Sequence, residues 1–595
     1  MFLRKTVRRK DGKEHNYWSI VENRRVSSGR TVQKTVLYLG ELNDSQHSSW
    51  SRAIEALDEK GNSQQLSLFS SEGSVPEGVE NPVSVELSKL ELSKPRQWGA
   101  CWLSCLLWEQ LELDEFWQPR LGRSRKGTRW LNVLKTLVSY RLIDPGSEWR
   151  LHRLWFDQTA LADLLGESFQ IASKNTLYRC LDKLVEHKEE LFCHLKGKWQ
   201  ELFSPNFDVL LYDLTSTYFE SDPRTKSDGL RQFGYSRDKR SDCQQVVIAL
   251  VVTPEGFPLA YEVMPGNTSD KTTLKDFLEK IQAQYGKARR VWVMDRGVPT
   301  EEVLAEMRNS DSTQYIVGTP RGKLTALEKQ FLEKPWSKVR ESVQVKLLEK
   351  DGELFVLAKS TQRFLKEQAM RKRKRKLKKL WYRLKELSQM TLSHNQLLMK
   401  LGAAKKEAGR AYSLVDVRIP SSPKDSDKAS FSFSLNRAKL RRARRREGSY
   451  LLRSNCLGET PEVLWERYIQ LTEVEQAFKE LKDNLSIRPI YHQKDARIEA
   501  HIFVAFLAYC LLVTLKQRCR AHASGLTPRS ALDQMAGIQM LDVKIPTTDG
   551  KIVEMNRYTQ PDKTQQLLLA KLKLSLPAQP PPKIYSFQKH SKQLH

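Results

Sequence analysis

Between residues 209 and 318 the apolar positions fall into short continuous runs separated by segments of helical spacing, a pattern that predicts a mixed sheet flanked by helices. Val209, Leu210, Leu211 and Tyr212 form one run, and Val291, Trp292, Val293 and Met294 form another. Unbroken runs of this kind suit strands covered on both faces. Between them, residues 245–252 and 258–263 read as a hairpin around Pro254, Glu255 and Gly256. Residues 267–270 supply helix-start chemistry, and Leu274, Phe277, Leu278 and Ile281 follow at helical spacing. Residues 301–309 predict a second helix and residues 314–318 a fifth strand, so the order reads β-β-β-α-β-α-β.

The flanks differ in pattern. The first fifty residues are basic and strand-like, with Tyr17, Trp18, Ile20 and Val21 before a polar turn and Val32 and Val36 to Leu39 after it. Residues 58–94 are rich in Ser, Glu and Gly and mark a linker; helices dominate from Trp98 to about Leu202. Residues 172–181 open an amphipathic helix with polar and basic side chains, which fits a DNA recognition helix and an ordinary bundle helix equally. After the fifth strand the chain is far longer than such a sheet needs. Val343, Val345, Leu347 and Leu348 face Leu354, Val356 and Leu357 across Asp351 and Gly352, and basic runs follow at 371–376 and 441–446. Thr460 as N-cap and Pro461 at the first helical position begin a helix that is expected to reach Asn484. Residues 502–515 are too short to span a bilayer and read as a buried helix, and residues 577–582 as an extended Pro-rich tail.

These features divide the chain into a small basic β-rich unit (1–57), a linker (58–94), a helical region that is a candidate for DNA binding (95–205), the first part of a core (206–320), an insertion (321–448), a second part of the core with a long helix (449–520) and a C-terminal region ending in the Pro-rich tail (521–595). Charge adds a partner. With 99 Lys and Arg against 71 Asp and Glu, the formal charge of +28 points to a polyanion, and nucleic acid is the first candidate. No secretory signal is visible at the start, and the 8 cysteines, scattered without a Cys-x2-Cys pair, read as reduced core thiols in a cytoplasm.

Candidate chemistry rests on three carboxylates. Asp213 and Asp295 each follow one of the buried runs, where an acid is costly unless it meets a cation or a partner. Glu475 lies in the long helix, seven residues after Tyr468 and seven before Lys482, so an aromatic ring, a carboxylate and an ammonium share one stripe. Taken alone, Glu475 and Lys479 would be an ordinary i to i+4 surface pair. Together the three acids have the hard oxygen chemistry that divalent cations prefer.

The order strand Asp, strand Asp, helix Glu, with Tyr-x2-Leu-x3-Glu-x6-Lys around the last acid, resembles the insertion-sequence transposases of the Asp-Asp-Glu class. Within that class the chain is similar to the insertion-sequence-four type, which includes the transposon-five transposase. The resembling stretches are 211–217, 265–270, 294–297, 474–478 and 488–492, within a span from about 208 to 515. Leu471 departs from the pattern, which often has Arg there. The resemblance implies a ribonuclease-H-like catalytic core, a mixed five-stranded sheet flanked by helices, in an α+β/α/β multidomain chain interrupted by a large basic insertion. In that fold the first and fourth strands are neighbours, which would bring Asp213 and Asp295 together. It also implies metal binding and catalysis by Asp213, Asp295 and Glu475, two Mg2+ ions with Mn2+ able to substitute, and DNA contacts from Tyr468, Lys482, Lys479, Arg488 and Arg296. The expected partners are the terminal inverted repeats and target DNA, bound by a homodimer in a synaptic complex associated with the nucleoid. His492, Arg497 and His501 fit ordering of DNA, support of the metal ligands or purely structural hydrogen bonding. A nuclease that never joins strands and a DNA-binding protein with a dead site are the alternatives, separated by a strand-transfer product and by an activity assay.

Overall fold

A computed structural model of the chain describes residues 2–10, 13–25, 31–42, 46–47, 50, 85–122, 124, 127–222, 229–269, 273–286, 288–310, 312–319, 321–369, 372–390, 392–419, 431–445 and 447–586. Near the N-terminus, β1 (Phe2–Lys10), β2 (Lys13–Arg25) and β3 (Thr31–Glu41) form a three-stranded antiparallel sheet. Its buried side chains include Ile20, Leu37 and Leu39, and Gln534 Nε2 donates to the Val36 carbonyl at 2.8 Å. Most of the preceding linker segment, 58–84, and Asp270 lie outside the described residues. The linker ends in structure: β4 (Glu91–Gln97) is an edge strand of a second sheet, and its register shifts around Lys94 and Pro95. A proline is tolerated at such an edge bulge because no ladder N–H is required there.

The central sheet follows from the apolar runs. β5 (Val209–Tyr218), β6 (Gln245–Val252), β7 (Pro258–Pro265), β8 (Arg290–Met294) and β9 (Thr313–Gly318) lie in the order β9-β8-β5-β6-β7. β5 pairs with β8, and β8 with β9, in parallel, whereas β6 and β7 are antiparallel additions. Alternate residues serve two cores. Leu210, Tyr212, Trp292 and Met294 pack with Phe277 and Ile281 of the helix Leu274–Tyr285 and with Leu304 and Met307 of the helix Glu301–Arg308. Leu211, Ile248, Leu250 and Val293 face the larger core that includes Phe503 and Phe506 of the helix Asp495–His522. That helix is long and apolar enough to cross a membrane by composition, yet 94% of its apolar window is buried in this protein. Trp199 Nε1 donates to Thr514 Oγ1 at 3.1 Å, tying the helical region 98–203 to it.

The sheet differs from the five-stranded expectation. β10 (Ser337–Arg340), β11 (Val343–Lys350), β12 (Glu353–Ser360) and β15 (Ser449–Ser454) continue it beyond β9, giving nine strands in the order β10-β11-β12-β15-β9-β8-β5-β6-β7. The predicted hairpin forms, with Lys350 opposite Glu353 and Asp351 and Gly352 both at positive φ. The physical reason for the extension is the open edge of β9, whose backbone groups β15 satisfies. The insertion is therefore only partly a separate unit. Its helices Lys372–Gln389 and His394–Ala408 pack with β13 (Val415–Arg418) and β14 (Ser432–Leu435) around Leu380, Leu384 and Leu401. Residues 371 and 446 of the two basic runs lie outside the described residues.

The second sheet has the order β18-β17-β16-β4, with β16 (Gln539–Pro546), β17 (Lys551–Tyr558) and β18 (Lys583–Ser586). The Pro-rich segment is consequently not a loose tail. Tyr558 Oη donates to the Pro577 carbonyl and Arg557 to that of Pro580, and the chain then adds β18 to the sheet.

Candidate active site

The parallel register of β5 and β8 decides where the first two acids stand. Val209 to Tyr212 pair in step with Val291 to Met294, so the next residues of the two strands are Asp213 and Asp295. β8 ends there, and Asp295 enters a turn in which its carbonyl accepts from Val298 N at 3.2 Å. Asp213, expected at a strand end, is instead within β5, which runs on to Tyr218 against β6. Only its pairing with β8 ends at this point, which opens one side of the strand to a pocket.

Glu475 arrives on a broken helix. Thr460 caps Pro461–Ile469 as predicted, its side chain accepting from Val463 N. The helix then breaks at Gln470, resumes as Leu471–Lys479 and ends in a π turn, Glu480–Asn484. Thr472 Oγ1 donates to the Ile469 carbonyl at 2.9 Å, a local bond that competes with the helical ladder at the break. Leu471, Val474, Ala477 and Phe478 are buried, leaving Glu475 exposed at the pocket. The pocket, about 340 Å³, is lined by Asp213, Leu214, Thr215, Arg237, Asp295, Gly297, Val298, Glu475 and Phe478. Burial pushes the Asp213 carboxyl up to about 7, with Asp295 and Glu475 adding to the rise and the Leu214 N–H and Arg237 opposing it.

The donor set fits divalent cations: three carboxylates, mutually repelling, at a pocket open to solvent. Their oxygens are spread around that pocket. Among the described residues, the group whose ligand atoms all lie within 4.8 Å of one another is a different one, Glu148, His492 and His501. There Arg141 supplies the cation: its Nη2 lies 3.9 Å from Glu148 Oε1 and 3.4 Å from His501 Nδ1. Burial alone would raise the Glu148 carboxyl, but hydrogen bonds with His492 and His501 hold it well below the usual range. His501 is pulled down to about 4, first by burial and then by Arg141. Arg141 Nη1 also donates to the Ser486 carbonyl at 3.1 Å, so this cluster clamps the chain that follows the Glu475 helix. Arg497 pairs with Asp182 at 2.7 Å. His492, His501 and Arg497 thus have structural partners away from the acids.

Tyr468 and Arg296 flank the other side of Asp295. Tyr468 Oη donates to Asp295 Oδ1 at 3.5 Å; burial, followed by the charge of Asp295, keeps the phenol protonated. Both residues line a pocket of about 180 Å³ with Asp295, Gly318, Thr319 and Arg363. A Cβ on Gly318 would stand 2.6 Å from Tyr468 Oη. Gly318→Ala is therefore expected to displace the phenol from Asp295 and slow DNA cleavage by about tenfold to a hundredfold, as small misplacements at reacting groups do, with little change in melting temperature. An unchanged single-turnover rate would remove this contact from the site.

The stripe expected from spacing is only partly kept. Lys482 is not open to solvent at the site: it pairs with Asp238 at 3.0 Å, its side chain 11% exposed. Arg488 binds the same carboxylate at 2.5 Å and Asp483 at 3.2 Å. Lys479 is exposed, and Glu473 faces away to Lys516 and Arg520. The sequence reading missed Arg237 and Asp238. They lie in the irregular segment between β5 and β6, where no periodicity marks a side chain's direction.

Residues 208–511 match the transposase DDE domain family, and residues 3–71 match the N-terminal domain of the IS1634 family transposases. The chain belongs to the insertion-sequence DDE transposases. Compared with curated proteins it has no match. The DDE match spans Asp213, Asp295 and Glu475 together with the insertion between them. The N-terminal match falls on the three-stranded sheet and names a group that the sequence resemblance did not. This transposase acts on DNA, cleaving it and transferring strands, and its family normally uses divalent metal ions.

Proposed function

We propose that Asp213, Asp295 and Glu475 are the catalytic and metal-binding carboxylates of this transposase, that they hold two Mg2+ ions, and that the enzyme cuts at the ends of its own element before joining them to target DNA. The observation that carries this reading is the register that sets Asp213 beside Asp295, with Glu475 at the same pocket. Bound divalent ions supply an activated oxygen nucleophile and neutralise charge at the phosphate. The chain itself orients the acids. Tyr468 donates to Asp295 and fixes one carboxylate oxygen, while Asp213 is steadied by the Leu214 N–H. Arg296 and Lys479, both exposed, are proposed to meet the DNA backbone near the cut; Tyr468, Lys482 and Arg488 are proposed to shape the rest of that surface.

Two ends brought together require two active sites or one used in turn, and a homodimer in a synaptic complex is part of this proposal. So are a relation to the insertion-sequence-four type, Mn2+ as a substitute for Mg2+, and work at the nucleoid in the cytoplasm. The test is a Mg2+-dependent cleavage and strand-transfer assay on a duplex bearing the element's end, comparing wild type with Glu475→Gln. Wild type is expected to nick and join while Glu475→Gln only binds. Equal activity in both would show that Glu475 is the wrong acid.

A further inference from the structure

We propose that Arg237 is a further catalytic residue, contacting a non-bridging oxygen of the phosphate that is cut. This rests on the assignment of the three acids above. Arg237 is the one cation among the described residues lining their pocket. Position 471 cannot serve, because Leu471 is 9% exposed and its face of the helix is buried. Lys482 is engaged by Asp238.

The segment that carries Arg237 is built rather than loose. Gln232 and Gln245 exchange backbone hydrogen bonds at 3.1 and 2.9 Å, and Gln245 Nε2 donates to the Tyr235 carbonyl at 3.0 Å. Gly234 lies so close to the end of β7 that a Cβ there would fall 2.0 Å from the Gly266 carbonyl oxygen. The Arg237 backbone N–H donates to Ser216 Oγ of β5 at 3.2 Å, which ties this residue to the strand that bears Asp213. On its other side, Asp238 is clamped between Lys482 and Arg488. The backbone that carries Arg237 is thus fixed on both flanks beside the acids' pocket, which limits the reorganisation needed for its side chain to act as a charged donor there.

The chemistry has a use for it. In the cleavage step a water oxygen bonds to phosphorus and the bond from phosphorus to the 3' oxygen breaks. The water's protons end on the leaving 3' oxygen, now a hydroxyl, and in solution, leaving a 5'-phosphate. Negative charge on the equatorial oxygens of the transferring phosphoryl group is what a planar guanidinium stabilises, and its paired N–H groups fit phosphate geometry.

The test uses full-length enzyme in single-turnover cleavage of an end duplex, with the scissile phosphate either unmodified or carrying sulfur at one or the other non-bridging position. Wild type, Arg237→Ala, Arg237→Lys and Glu475→Gln are compared. Arg237→Ala is expected to cut about a hundredfold more slowly with duplex binding nearly unchanged, and Arg237→Lys to lie between it and wild type. The slowing should shrink for one phosphorothioate diastereomer, the one whose sulfur replaces the contacted oxygen. A rate for Arg237→Ala within a few-fold of wild type overturns the inference, as does equal slowing on all substrates, which would make Arg237 structural. If Glu475→Gln cuts like wild type, the assignment of the acids fails and this inference with it; if Glu475→Gln is inactive and Arg237→Ala normal, this inference alone fails.

Discussion

Asp213→Asn is expected to bind the end duplex normally and to lose cleavage by about a thousandfold or more, because the amide removes charge and a hard oxygen donor from the most enclosed of the three acids. On the proposed assignment the same residue is expected to give metal binding a pH dependence. Its carboxyl in the metal-free protein is pushed up to about 7, so near neutral pH a cation must displace a proton to bind. Divalent-ion affinity is expected to rise with pH up to and through about 7 and then level off, with proton release on binding greatest below it. Since the folded pKa lies above the ordinary value near 3.9, the protonated form is favoured by folding; without metal, this contribution to stability is full below about 3.9, falls as pH rises from there to about 7, and levels off above. Titration calorimetry with Mn2+ at several pH values checks this. Flat affinity across that range in wild type, or the same slope in Asp213→Asn, would show that another group governs metal binding.

Glu148→Ala is expected to destabilise the protein by about 3–5 kcal/mol, the usual cost of leaving a buried cation without its counter-charge. Arg141 is 3% exposed and Glu148 6%, so the guanidinium has little access to bulk water. Because Arg141 also holds the Ser486 carbonyl, the loss should loosen the join between the helical region and the chain after the Glu475 helix. Thermal unfolding should show a lower first transition, and Arg141→Met added to Glu148→Ala should recover part of it. A single variant with an unshifted transition, or a double variant that is less stable than the single one, would count against the cluster as a clamp.

Which parts of this architecture could be read beforehand follows from how local their causes are. The strands β5 and β8 were legible because two buried apolar runs each lead into an acid, and the hairpin around Asp351 and Gly352 because its turn chemistry is local. β15 was not: Tyr450, Leu451 and Leu452 make a short run, and what defines them as a strand is an edge more than a hundred residues earlier in the chain. The break at Gln470 escaped for a related reason, since a threonine hydroxyl turning back on one carbonyl leaves the apolar spacing intact. Glu475 was legible from its stripe, but the partner of Lys482 was not, because Asp238 is 244 residues away in an aperiodic segment. Arg237 shares that segment, and its importance is visible only once Ser216 and the pocket are placed.

The insertion's position also has a consequence for the ribosome. Asp213 and Asp295 are synthesised first, and β10, β11, β12 and β15, which extend the edge of β9, are all made before Glu475. On the proposed assignment, an unfinished polypeptide therefore carries two of the three acids without the third. On that assignment the capacity to cut DNA arises only once the insertion has been made and the helix that follows it has joined the sheet.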